Sequence, residues 1–394
     1  MRIVVLGGAG LMGQVTVRDL LSSPQVDSVV VGDYAQKRVE KFVRSLAGKK
    51  AEARFIDVTN HDSLARLLSG ADAVINSVQY YYNIDVMKAA LASHVPYCDL
   101  GGLYHMTKKQ LALDRDFKKA GLPAVLGVGS TPGITNVLAR IIADQFDAVD
   151  YIHIYNGNRE FSTQEKKGPF VWGYSLNTIV DEVTSEPACF EKGKMKFVPP
   201  LSGSELYEFP EPIGILSVHH SLHSELATIP DSFRDKGIKE CFFKLNSFGL
   251  PPDVVEKLKF VGDIGLLSRE FVKVRGQNIA PRDVFISATS AFPQPSGVPD
   301  DCEAVIVDIR GKKDGKVFHH RMSAMSYPKK ELHTSGGTLL TAVPPSIVAQ
   351  MLVKGEIEKK GVLAPENCIN PDIFMKELRK RDVRIISCRE EIMD

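Results

Sequence analysis

The sequence predicts an α/β protein, a doubly wound parallel sheet joined to a second α+β domain. Three observations predict it: six short apolar runs alternate with helix-period segments, a glycine-rich turn follows the first run, and the texture changes beyond about residue 134. With 394 residues, 44% hydrophobic and 25% charged, the chain has globular composition and length for about two domains.

In order, the runs read as strands at Ile3–Leu6, Ser28–Val31, Ala53–Ile56, Ala73–Asn76, Pro96–Asp99 and Pro123–Leu126. Between them, residues Leu11–Leu21, Ala35–Leu46, His61–Leu68, Ile84–Ala92 and Lys108–Ala120 repeat apolar side chains at three- and four-residue spacing, the stripe of a crossover helix. A long helix at Ile134–Phe146, behind Pro132 and Gly133, opens the second domain. Strand-like runs follow at Tyr151–Tyr155, Phe285–Ala288 and Ala304–Ile309. A helix starting at Pro344, with proline in its first turn, is expected to return to the first sheet. The expected division is therefore 1–133 plus 338–394 for the first domain and 134–337 for the second.

Composition narrows the function. Lys plus Arg number 49 against 48 Asp plus Glu, so a net charge of +1 provides no general pull toward nucleic acid or an anionic membrane, and neither partner is expected. The six cysteines form no C-x-x-C pair, which argues against a disulfide framework or a thiolate zinc site. The N-terminus has only four strong apolar residues before its glycines, so a cytoplasmic location is expected. His219 and His223 have i, i+4 spacing without the glutamate of H-E-x-x-H, and no metal is expected.

The first strand runs into Gly8-Ala9-Gly10-Leu11-Met12-Gly13, a G-x-G-x-x-G that opens a helix, the fingerprint of a Rossmann dinucleotide-binding domain. Gly8 is read as allowing the tight turn, Gly10 as admitting a pyrophosphate and Gly13 as permitting close helix–strand packing. The helix start at Leu11 and Met12 supplies oriented N–H donors to the phosphate charge. Asp33, 20 residues beyond Gly13, is placed to accept hydrogen bonds from the adenosine ribose; this favours NAD as the cofactor, with NADP the alternative because Lys37 and Arg38 lie close. Ligands of open α/β sheets bind outside the carboxyl ends of the strands. Asp57 and Val58 are accordingly placed beside the adenine, Asn76, Ser77 and Val78 along the pyrophosphate and ribose, and Gly101 at the fifth strand end; turn or cap roles for Asp57 and Asn76 remain the alternative. Tyr80, Tyr81 and Tyr82 could cover the nicotinamide or anchor the next helix.

The ordered motifs VVLGGAGLMG, DAVINSVQYYYN, VPYCDLGG, GVGSTPGITNVLA, HSELATIP and TAVPPSIVAQML resemble the saccharopine dehydrogenase family over most of the chain. The resemblance implies a nicotinamide-dependent reaction at a carbon bearing nitrogen in an amino acid or its conjugate, an α+β substrate domain, and a homodimer. The D-x-G-G and x-P-G patterns look most like its lysine 6-dehydrogenase branch. A saccharopine reductase-type enzyme that condenses aldehyde and amine is the first alternative, and a non-catalytic NAD-binding regulator the second. Chemistry at a C–N carbon needs the nitrogen lone pair, hence a general base. Asp99, His223 and Glu225 are the candidates. Gly102, Ser130, Thr131 and the turn before the helix are candidates for the substrate carboxylate, with Arg234 as a clamp.

Overall fold

The computed structural model describes residues 1–48, 50–162, 172–246, 250, 252–293 and 297–393. The apolar runs form strands β1 (Arg2–Leu6), β2 (Ser28–Asp33), β3 (Ala51–Phe55), β4 (Ala73–Asn76), β5 (Tyr97–Asp99) and β6 (Pro123–Val125). All pairings are parallel, and a late strand, Gly361–Leu363, joins beside β6, so seven strands run in the order 361–363, β6, β5, β4, β1, β2, β3. Near-continuous apolar strands are what a sheet covered on both faces requires, and Ile3, Val4, Val5 and Leu6 are all fully buried.

The second sheet is built on β7 (Ala148–Glu160), β8 (Ala188–Glu191), β9 (Lys194–Phe197), β10 (Glu205–Phe209), β11 (Gly214–His220) and β12 (Glu240–Asn246). A separate hairpin, β13 (Val272–Val274) with β14 (Gln277–Ile279), precedes the long strands β15 (Asp301–Lys313) and β16 (Lys316–Ser326). The strand at 361–363 is β17, and β18 (Arg384–Ile392) closes the chain. The order is β10, β11, β12, β7, β15, β16, β18, with β8 and β9 branching from β12. One hydrophobic cluster runs through both sheets, from Ile3 and Val31 through Val137 and Ile347 to Val305 and Phe243.

Several elements depart from expectation. The helix expected at Pro344 spans Gly336–Val353, capped by Ser335 Oγ accepting from Thr338 N at 3.1 Å, with both prolines in its interior. Proline there removes helix hydrogen bonds, but this helix is buried nearly all round, and packing keeps it continuous across both prolines. It lies against helix Leu11–Ser22, where Thr16 Oγ1 donates to Ala342 O at 2.7 Å. Its hydropathy and length would suit a membrane span, yet 83% of it is buried inside the protein, as a core helix. The expected strand Phe285–Ala288 lies in a helix, Pro281–Ser290, with proline at its first turn, because a four-residue run with three apolar side chains carries no period of its own. The segment expected as one helix at Lys108–Ala120 is two, Leu103–Leu111 and Asp114–Lys119, and Gln110 at the break turns inward. β18, expected with the first domain, pairs with β16 of the second sheet.

Candidate active site at the strand ends

The glycine turn fits a dinucleotide. Gly7 takes the left-handed conformation, φ +69°, and so makes the sharp turn assigned to Gly8. Gly8 instead lets the turn pack on β2, for a Cβ there would lie 2.7 Å from Val31 Cγ1. At Gly13 a Cβ would lie 2.3 Å from Gly7 O, which confines helix and turn to glycine. Gly10 is the N-cap of helix Leu11–Ser22 and offers no side-chain cap, so the first N–H groups, on Leu11, Met12 and Gly13, face outward for an anion. Next to them, at the end of β4, Ser77 Oγ is buried with no hydrogen-bond partner, an orphaned donor in the crevice a pyrophosphate would fill. The residues present suit the group.

Asp33 sits at the end of β2, 4% exposed, and touches the glycine turn: its Oδ2 accepts from Ala9 N at 3.2 Å, its Oδ1 from Ala35 N at 2.9 Å and Arg38 Nη2 at 3.0 Å. Arg38 is thus an ion partner at the ribose end of the site. Asp57 makes the turn alternative real, since Oδ1 accepts from Thr59 N at 2.9 Å and Thr59 Oγ1 at 2.7 Å, and these bonds hold its carboxyl below the usual range. Val58 is buried with Ile56 and Leu64 just beyond β3. Asn76 turns inward: Nδ2 donates to Asn83 Oδ1 at 2.9 Å and Tyr97 Oη at 3.2 Å, while Oδ1 accepts from Val78 N at 3.3 Å.

Asp99 is fully buried and surrounded by donors. It accepts from Gly127 N at 2.7 Å, Gly101 N at 2.9 Å, Tyr97 Oη at 2.8 Å, Gln110 Nε2 at 2.5 Å and Asn83 Nδ2 at 3.3 Å. Burial pushes its carboxyl up and these bonds oppose that. With every lone pair engaged and no solvent face, Asp99 ties together the loops after β4, β5 and β6; the general-base role expected of it is corrected to a positioning one. Of the groups that hold it, Asn83 and Tyr97 lie inside the quoted runs DAVINSVQYYYN and VPYCDLGG but were not singled out, and Gln110 lies outside every motif. Gly101 (φ +113°) would drive a Cβ to 3.1 Å from Pro132, and Gly102 N donates to Ser224 Oγ at 3.2 Å across to the second domain.

That contact brings His223 and Glu225 to the cleft. His223 Nδ1 donates to Glu225 Oε2 at 2.5 Å; Glu225 is fully buried and its Oε1 accepts from Thr135 Oγ1 at 3.0 Å. The imidazole stacks on Phe243 at 4.0 Å, and its Nε2 looks toward Glu182 Oε1 at 4.0 Å. Burial opposes charging the ring, but Glu225 and then Glu182 outweigh it, so His223 holds its proton above the usual histidine range. His219 lies on β11 and His223 in the loop beyond it, so the helical spacing of a metal pair does not arise.

Two carboxylates the sequence did not single out complete the cleft. Glu182, on helix Leu176–Thr184, accepts from Tyr174 Oη at 2.5 Å, and burial raises it to about 7. Glu303, on β15, accepts from Asn156 Nδ2 at 3.2 Å; burial and then Asp301 raise it to about 7. Asp301 is held by the N-terminus of helix Gly336–Val353, from Gly336 N at 2.6 Å and Gly337 N at 3.1 Å. Loops of the first domain border this cluster: Ser130 Oγ bonds Thr341 Oγ1 at 2.9 Å, and Gln79 Oε1 accepts from Ser175 Oγ at 3.0 Å. Tyr80 Oη donates to Asp181 at 2.7 Å, so Tyr80 ties the two domains. Thr131 is half-buried beside Ser130. Arg234 is an exposed surface residue paired with Asp231 at 2.5 Å and is corrected from the clamp role, because a short 3-10 turn points it to solvent.

Comparison with known proteins agrees with this geometry. Residues 3–125 match the saccharopine dehydrogenase NADP binding domain and residues 129–383 the saccharopine dehydrogenase C-terminal domain. The chain belongs to the saccharopine dehydrogenase family. It is an NAD(P)-binding member of that oxidoreductase family, with the parallel sheet as the coenzyme domain. Carboxynorspermidine synthase of Vibrio cholerae is 25% identical, over 96% of this chain and 94% of its own length. Carboxyaminopropylagmatine dehydrogenase of a Synechocystis species is 24% identical, over 95% and 94%. Among solved structures, saccharopine dehydrogenase (L-Glu forming) of Saccharomyces cerevisiae shares the fold with a TM-score of 0.75 at 17% identity, covering 99% of both chains. The homospermidine synthase of Legionella pneumophila, solved with NAD, gives 0.67 at 12% identity, covering 98% of this chain and 91% of that one.

Proposed function

We propose that this protein joins a primary amine to a carboxyl-bearing aldehyde and reduces the resulting C=N bond, making a carboxylated polyamine-type secondary amine. The observation that carries the reading is the pair Glu182 and Glu303, two carboxylates beside Tyr174, both raised to about 7, with His223 facing Glu182. Desolvated carboxylates with few donors of their own suit ammonium groups, whose arrival ionises them and supplies the missing partner. The names of the full-length relatives, which concern carboxylated polyamines, support the same choice over lysine 6-dehydrogenation.

Amine and aldehyde condense to an imine with loss of water; hydride and one proton then give the secondary amine. The bound nicotinamide supplies the hydride. His223, charged and steered by Glu225, holds a proton at Nε2 toward Glu182, where it can serve carbinolamine dehydration or the reduced nitrogen. The substrate carboxylate expected at the turn before helix Ile134–Ala143 finds the amides there already engaged, Gly133 N with Asn136 Oδ1 at 2.9 Å, Ile134 N with Gly129 O at 2.9 Å and Thr135 N with Ser130 O at 3.2 Å, so these amides have no donor left for it.

Spectrophotometry tests this. Coenzyme oxidation that requires both an aldehyde and a diamine is the expected result. Lysine-dependent reduction of NAD without an aldehyde assigns the dehydrogenase instead, and coenzyme binding without turnover on a broad panel assigns a regulator.

A further inference from the structure

The loop after β4 touches both domains. At its head, Ser77 lies against the glycine turn: a Cβ on Gly7 would come within 2.7 Å of Ser77 O, and Ser77 N donates to Leu6 O at 2.9 Å. Ser77 Oγ, buried and without a partner, is the orphan beside the coenzyme crevice. Two residues on, the same loop reaches across to helix Leu176–Thr184 of the second domain. Gln79 Oε1 accepts from Ser175 Oγ at 3.0 Å, and Ser175 Oγ caps that helix by accepting from Thr178 N at 3.3 Å. Tyr80, in the 3-10 turn Tyr80–Tyr82, donates from Oη to Asp181 Oδ2 at 2.7 Å.

Each of these anchors is one residue away from a group of the cleft. Tyr174 precedes Ser175, Glu182 follows Asp181, and Tyr174 Oη donates to Glu182 Oε2 at 2.5 Å. The loop therefore grips a nine-residue helix beside both cleft groups it carries. The far side of Asp181 is fixed independently. Buried Arg282 pairs with Oδ1 and is itself held by donating to Leu267 O at 2.7 Å, while Arg269 donates to Oδ2 at 3.1 Å and lies over the Tyr81 ring at 4.8 Å. Two arginines thus meet the charge of Asp181, and the neutral phenol of Tyr80 contributes a link to the coenzyme domain rather than charge balance.

We propose that Gln79 and Tyr80 are positioning residues that couple the two ligands: coenzyme seated on Ser77 and Val78 fixes the loop, and the loop fixes Glu182 and Tyr174 where the amine is received. The inference rests on the reading that Glu182 receives an ammonium group. Both ligands favour one engaged arrangement of the loop, so each raises the affinity of the other by the same factor. A hold made by one phenol and one amide oxygen suits this role, because it can release without leaving a buried charge unpaired.

Calorimetric titrations of the full chain with NADPH and with α,ω-diaminoalkanes of three to five carbons test this, each ligand added in the absence and in the presence of the other. In the wild type NADPH is expected to tighten the diamine roughly 5- to 50-fold, and the diamine to tighten NADPH equally. In Tyr80→Phe that factor should fall to about one, while each ligand alone binds within about threefold of the wild type. Ligands that bind the wild type independently, or a Tyr80→Phe protein that keeps the wild-type factor, overturn the proposal. A residue that only stabilised the fold would weaken both affinities together and leave the coupling intact. Gln79→Met, which removes the acceptor of Ser175 at similar volume, repeats the test if Tyr80→Phe does not fold. Hydrogen exchange separates this inference from the reading it rests on: amides of 176–184 should gain protection on adding NADPH alone, and the gain should vanish in Tyr80→Phe. If no diamine binds under any condition, the amine reading of Glu182 fails, and exchange still decides the hold of the loop on the helix; a wild type without that gain overturns it.

Discussion

A buried carboxylate of the coenzyme domain, Asp99, and two of the second domain, Glu182 and Glu303, are treated in opposite ways. In the coenzyme domain Asp99 is saturated, five donors converging on two oxygens. In the second domain Glu182 accepts one short bond from Tyr174, and Glu303 is met only by neutral side chains, Asn156 at 3.2 Å, Asn158 at 3.5 Å and the Ser130 hydroxyl. The difference separates scaffold from reagent. A carboxylate with all its donors supplied by the fold stabilises loops and has nothing left for a ligand, whereas one desolvated with few donors rises to about 7 and gains most from an incoming cation.

Four substitutions break or sharpen that contrast. The largest effect is expected from His223→Gln, which removes the charged ring that Glu225 holds: kcat falls about 10²–10⁴-fold with coenzyme affinity unchanged, measured by steady-state kinetics and coenzyme titration. Asp99→Asn comes next and acts on stability. It leaves donors that converge on Asp99 without acceptors at a buried site, so denaturant unfolding should show a loss of about 2–4 kcal/mol. Glu303→Gln should do the reverse, keeping the fold while raising KM for the amine about tenfold to a hundredfold, because one charged hydrogen bond is lost. A stability loss at Glu303 without a KM effect would erase the distinction between the domains.

The smallest effect is a pH signature. Glu182 is raised above its unfolded value, so its contribution to stability is fully present below about 4.5 and is lost as pH rises through about 7. Glu182→Gln, which resembles the protonated form, should therefore melt about 2–4 °C higher than the wild type near pH 8 and converge with it near pH 5. Differential scanning calorimetry across that range reads it directly.

Local chemistry was legible where a residue's work is done by its neighbours in sequence. The six parallel strands, the helix start at Leu11 and the glycine spacing follow from periodicity and backbone freedom, which act over a few residues. The pairing of His223 with Glu225 also lies within two residues and could be read from the chain. By contrast, that Asp99 is walled in by Asn83, Gln110 and Gly127, that Glu182 and Glu303 share one cleft, and that Pro344 and Pro345 sit inside a helix depend on contacts between distant segments. Burial and donor count, which decide whether a carboxylate braces a loop or waits for an ammonium group, are properties of the packed molecule; only tertiary structure sets them, because desolvation comes from every element around the group and none of it is encoded beside it.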